Sequence, residues 1–232
     1  NQLFAADEVL AFEQEYATYV GSPYARAVGN ATQGLHLALA ALDIGVNHEV
    51  IVTPYSWISS ASCILMQNAV PVFADCEPDT LGLSVQAVEK AITPRTRAVI
   101  LVHMFGYPAD TTGILQLCRR HGLYLIEDAS HGHGAYDNGR HVGTIGDIGV
   151  FSLHQRKTLS VGDGGVLVMH DPEIDNRIYR MRSFGHDMLS YNYRMTEFAA
   201  AIGRVRLKSL DADNAVRIQN AEKLASLLAD TE

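Results

Sequence analysis

RAVILVH at residues 97–103, a stretch of helical length at 110–121, and LYLIED at 123–128 decide the fold of this chain. The first and last are short, apolar, β-branched runs and read as buried strands. Asp110 is a suitable N-cap for the segment between them, and Gly122 a suitable stop. Working outward, the alternation repeats. Strands are predicted at 49–53 (EVIVT) and 70–75 (VPVFAD), and helices at 32–42, 57–67 and 84–92. Ser84 is expected to cap the last of these, and Gly45 to end the first. Strands alternating with helices imply βαβ units around a mostly parallel, buried sheet, hence an α/β protein with three αβα layers. In such sheets ligands bind beyond the carboxyl ends of the strands. The residues following each strand are therefore the ones to read for chemistry.

Further along, YDNGRHV at 136–142 predicts a hairpin around an Asp-Asn-Gly turn. Two more strands, 148–153 and 165–170, flank a polar, Gly-rich loop. From Thr196 the pattern is helical, with Phe198, Ile202, Val205, Leu207, Leu210, Ile218, Leu224 and Leu228 as its apolar residues. A helix of this kind needs a further domain or a partner to cover it. Arg177, Arg180 and Arg182 read as one solvated or interface face.

Composition narrows the function. The 232 residues are 47% hydrophobic, enough for a sizeable core, and the net charge is −8, which argues against a basic field for nucleic acid. Three cysteines, Cys63, Cys76 and Cys118, lack the spacing of a disulfide framework or a zinc site and read as small buried apolar groups. No apolar run is long enough to span a membrane, no signal peptide is read, and a cytoplasmic location is expected. His131 and His133 lack a third ligand, so no metal is expected. GDGG at 162–165 lacks the strand–GxGxxG–helix context of a dinucleotide site.

Four features could carry chemistry. Asp128 ends an apolar strand where ligands bind, although alone it reads as a cap or an ion-pair partner. Lys157 follows a buried strand and precedes a glycine cluster, where its amine can lose its proton and act as an imine-forming nucleophile and base. VGNATQ at 28–33 turns into a helix whose first N–H groups suit a phosphate. Trp57, the only tryptophan, follows a strand, where a stacking platform competes evenly with a core position.

The order of these features is more specific than any of them. GNATQGLHLAL, EVIVTP, SW at 56–57, AVPVFAD, VHMFGYPAD, IEDASH, GDIGVFS, Lys157, GDGG and YNYRMTE occur in sequence. This series, over about residues 7–230, resembles the DegT/DnrJ/EryC1/StrS family of sugar aminotransferases, which have the type I fold of the enzymes that use pyridoxal 5'-phosphate. The resemblance implies that Lys157 carries the cofactor covalently, Asp128 pairs with its ring nitrogen and Trp57 stacks on its face. It places His131 at the phenolic oxygen, and Ala31, Thr32 and Ser152 at the phosphate. Asn192 would reach the phosphate site of a neighbouring subunit, making a homodimer with shared sites. The implied reaction moves an amino group from glutamate or glutamine to a nucleotide-linked keto-sugar, with a keto-cyclitol as the second choice of acceptor. The expected division is a cofactor-binding domain at 1–195 and a helical connection at 196–232 toward a small C-terminal domain largely absent from this chain. The loop at 185–191 is shorter than is usual in the family. A sister class of dehydratases puts histidine in place of the lysine; the lysine at 157 favours amino transfer. A non-catalytic sensor or scaffold on the same fold is the remaining alternative.

Overall fold

A computed structural model describes residues 6–185 and 187–229. The elements are α1 (Asp7–Val20), β1 (Tyr24–Val28), α2 (Ala31–Ala41), β2 (Glu49–Val52), α3 (Ser59–Met66), β3 (Val70–Phe73), α4 (Val85–Ala91) and β4 (Thr96–Val102). They continue with α5 (Thr111–His121), β5 (Tyr124–Asp128), a hairpin of β6 (Tyr136–Asp137) and β7 (Arg140–His141), β8 (Ile148–Ser152), β9 (Gly165–Met169), α6 (Pro172–Arg182) and α7 (Glu197–Leu228). Seven strands form one sheet in the order β1-β9-β8-β5-β4-β2-β3. The run from β8 to β3 is parallel, and β9 is antiparallel to both its neighbours.

Period-2 alternation explains why these strands are apolar throughout. Ala98, Ile100, Ile126, Val150 and Leu167 face a core shared with α2, α3 and α6. Val99, Leu101 and Leu125 face α4 and α5, while Phe151, Val166 and Val168 face α1 and α7. Both sheet faces are thus covered by helices, as a parallel sheet requires. The three-layer αβα expectation and the hairpin hold.

Several details differ from the sequence reading. The left-handed residue after α2 is Asp43, not Gly45. Ser84 sits at the N-cap of α4 but makes no capping bond, whereas Asp110 accepts the Gly113 amide at 2.8 Å. Arg182 is not solvated: it is 2% exposed and held by Glu13 and by the Ala27 carbonyl at 2.8 Å. Helix α7 buries only part of its apolar set. Ala200, Gly203 and Leu210 are buried, and Gly203 lets Phe12 of α1 approach, while Phe198, Ile202 and Val205 stay exposed. Cys63 and Cys118 are buried, but Cys76 is half-buried and bonds Thr53. Among the described residues no helix is long and apolar enough to cross a membrane.

Candidate active site

Beyond the carboxyl ends of β4, β5 and β8 lies a cavity of about 640 Å³. Its walls include Ala31, Thr32, Trp57, Asp128, His131, Ser152 and Lys157, all predicted from sequence. Asn192 is not part of it. That residue is exposed and bridges Ser183, while its neighbour Tyr193 accepts the Gly29 amide at the entrance to α2.

The anion-binding end is built by α2. Asn30 caps the helix by accepting the Gln33 amide at 2.9 Å. The Ala31 and Thr32 amides open the helix and have no acceptor within it, so they are available to an anion. A close approach makes this cradle. A methyl group on Gly165 of β9 would lie 2.7 Å from the Asn30 carbonyl carbon and 2.8 Å from the Ala31 nitrogen. Gly165→Ala must therefore push the start of α2 outward. It is expected to cost about 1–3 kcal/mol of stability by overpacking, read from urea midpoints, and to weaken phosphate binding.

The other end is acidic. Asp128 is 5% exposed at the tip of β5. Its Oδ2 accepts from Ser60 at 2.8 Å and its Oδ1 from the Ser130 amide at 3.2 Å. Next to it, Glu127 is fully buried and accepts from His103, Gly143, Ile145 and Gly146. Burial pushes that carboxyl up, but the His103 bond and the amides outweigh it and hold the pKa below its ordinary value.

Lys157 lines the same cavity from a closed loop. Leu153 donates to Gly164, Gln155 to Gly162, and the Lys157 amide to the His154 carbonyl, each at 2.8 Å. Burial lowers its amine pKa, and the nearby Asp128 charge only partly offsets this. A larger fraction is therefore neutral, and nucleophilic, than for a solvated lysine. His131 accepts the Phe105 amide on Nδ1 at 3.2 Å, and burial and the Lys157 charge lower its pKa. It is thus a neutral imidazole with its proton on Nε2, able to donate. Trp57 is 75% exposed and borders the cavity, so it is not a core residue.

Ser152 is held from behind. His133 Nε2 donates to its carbonyl at 2.8 Å, so His133 Nδ1 accepts from Tyr16 at 3.0 Å. His131 and His133 therefore serve different partners. Burial lowers the His133 pKa from 6.5 to about 4. Between those values the unfolded chain takes a proton that the folded chain refuses, so stability falls as pH drops through this window. The expected loss is about 3 kcal/mol, and urea unfolding of His133→Gln should lose less over the same range.

Ser59, Ser60 and Ser130 were missed by the sequence reading; serines at a helix start, as Ser59 and Ser60 are, or in a turn, as Ser130 is, carry no signal of a ligand. A second hollow of about 440 Å³ has both its arginines in ion pairs, Arg177 with Asp43 and Arg119 with Asp147.

Comparison with known proteins gives a consistent result. The model of the DegT/DnrJ/EryC1/StrS aminotransferase family matches residues 1–232. An L-glutamine:2-deoxy-scyllo-inosose aminotransferase of Streptoalloteichus tenebrarius is 38% identical, over 94% of this chain and 56% of the relative. A UDP-N-acetyl-3-dehydro-alpha-D-glucosamine 3-aminotransferase of Acidithiobacillus ferrooxidans is 41% identical, over 88% and 57%. The crystal structure of S. venezuelae DesV, in complex with a ketimine intermediate, superposes with a TM-score of 0.97 at 37% identity, covering 100% of this chain and 64% of that one. The chain spans little more than half the length of the curated relatives it matches.

Proposed function

This chain belongs to the DegT/DnrJ/EryC1/StrS aminotransferase family, and from that premise we propose that it binds pyridoxal 5'-phosphate and moves an amino group from glutamate or glutamine to a nucleotide-linked keto-sugar. The observation that carries this reading is one cavity holding an amine of lowered pKa at Lys157, a buried carboxylate at Asp128 and an open helix start at Ala31.

The residues fit the cofactor. The Ala31 and Thr32 amides, with the Thr32 and Ser152 hydroxyls, hold its phosphate. Asp128 would pair with the ring nitrogen, Trp57 would cover a ring face, and Nε2–H of His131 would donate to the phenolic oxygen. Lys157 Nζ attaches the cofactor. When bound, the group supplies an electron sink for negative charge at the substrate carbon that bears nitrogen. Asp128 keeps that sink effective by favouring a protonated ring nitrogen. Lys157 Nζ would also be the base that takes the proton from the donor's amino-bearing carbon and returns one to the acceptor's. The same lysine would serve both half-reactions, and ping-pong kinetics are expected.

Asn192, exposed and anchored beside the start of α2, completes the phosphate end of a second copy's cavity, and the working form is a homodimer in the cytoplasm. Residues 1–195 form the cofactor-binding unit, with 196–232 as a helical connection. Similarity to the scyllo-inosose enzyme over 94% of the chain favours a keto-cyclitol as the second acceptor. An acceptor panel decides. Chain loaded with pyridoxal 5'-phosphate is given L-glutamine or L-glutamate with 3-keto and 4-keto nucleotide hexoses or scyllo-inosose. Amine formation on a nucleotide hexose is expected; amine on the cyclitol alone would move the reading to the second acceptor, and none on any would remove it.

A further inference from the structure

Two serines in the first turn of α3 point away from their own helix. Ile58 occupies the N-cap of α3 and makes no capping bond through its side chain. Serines at a helix start ordinarily satisfy its free amides. Here Ser59 Oγ lies 2.7 Å from Thr32 Oγ1, and Ser60 Oγ lies 2.8 Å from Asp128 Oδ2. Ser60 is 1% exposed. The direction of its bond is fixed, because an ionised carboxylate only accepts. Ser60 must therefore give its proton to Asp128, which leaves its oxygen to accept from Ser56 Oγ at 2.9 Å. The result is a one-way chain, Ser56 to Ser60 to Asp128, in which each bond polarises the next. With the Ser130 amide on the other oxygen, both carboxylate oxygens are fixed and the group cannot rotate.

We infer that Ser60 is a positioning residue for the Asp128 carboxylate, and that Ser59 does the same for Thr32, so that one helix turn keeps the two ends of the cavity in register. This rests on the cofactor reading above. Ser59 and Ser60 are consecutive in the chain but reach opposite ends of the cavity, the anion-binding start of α2 and the acidic tip of β5. A shift of α3 displaces both ends together. Ser60 acts through Asp128, so its effect depends on that carboxylate being present.

The test is a double-mutant cycle on the full chain. Pyridoxal 5'-phosphate is titrated while Trp57 fluorescence and bound-cofactor absorbance are followed, with circular dichroism as the check on folding. Ser60→Ala is expected to weaken uptake about tenfold or more, as for a lost hydrogen bond to a charged group. In an Asp128→Ala background the same change is expected to add nothing. Ser60→Cys, of similar size but a poorer donor, should fall between, and it answers the question if the alanine variant does not fold. Wild-type uptake by Ser60→Ala, or an equal loss in both backgrounds, would overturn the role of Ser60 alone. No uptake by the unaltered chain would overturn the cofactor reading and this inference with it.

Discussion

Lys157→Ala is expected to abolish amino transfer, with turnover down by at least about 10⁴-fold, while circular dichroism and urea midpoint stay at wild-type values. The loss follows from the two tasks assigned to one amine, covalent attachment of the cofactor and proton transfer at the substrate carbon. The folding prediction follows from the structure. Lys157 is half-buried on a loop closed by backbone bonds that do not involve its side chain. Its charge is disfavoured by burial, so removing it does not weaken the native state at neutral pH. A variant that folds and still turns over at the wild-type rate would remove the lysine from the chemistry.

Asp128→Ala is expected to lower turnover by about 10²–10³-fold and to loosen cofactor retention. Breaking a buried charge pair by deleting one partner costs about 3–5 kcal/mol, which sets that scale. The Ser60 hydroxyl and the Ser130 amide would also lose their acceptor. Asp128→Asn keeps one acceptor oxygen, for the Ser130 amide or the Ser60 hydroxyl but not both, and loses the charge, so it retains shape and part of the bonding while removing the charge. If it matches the alanine variant in turnover, the charge is what matters. Steady-state rates at saturating cofactor measure this directly, and unchanged rates in both variants would contradict the assignment.

The parallel strands were legible because a strand covered on both faces is apolar at every position, and β4 and β5 show this plainly. The strand β1 was not, because Arg26 interrupts YARAV. Its charge is answered from far away by Asp175 and Glu13, which a local reading does not see. The same holds for Arg182, buried against a helix 169 residues earlier. The contact of α7 with α1 was not legible, because Gly203, where Phe12 packs, carries no hydrophobic signal, whereas the uncovered apolar residues Phe198, Ile202 and Val205 were. At the site, Lys157, Asp128, Trp57, His131, Ala31, Thr32 and Ser152 were all legible and share one cavity. Ser59 and Ser60 were not, since only the fold shows that their hydroxyls turn away from α3. Asn192 lies outside the cavity of its own chain, where its backbone bridges Ser183.

The central claim is that one particular amine, at residue 157, takes up the cofactor. Borohydride reduction of the chain with pyridoxal 5'-phosphate, followed by digestion and peptide mass analysis, tests it most directly. The account predicts a single modified peptide whose label maps to Lys157 and disappears in Lys157→Ala. Label on Lys90, Lys208 or Lys223 instead, or equal labelling of the alanine variant, would contradict it.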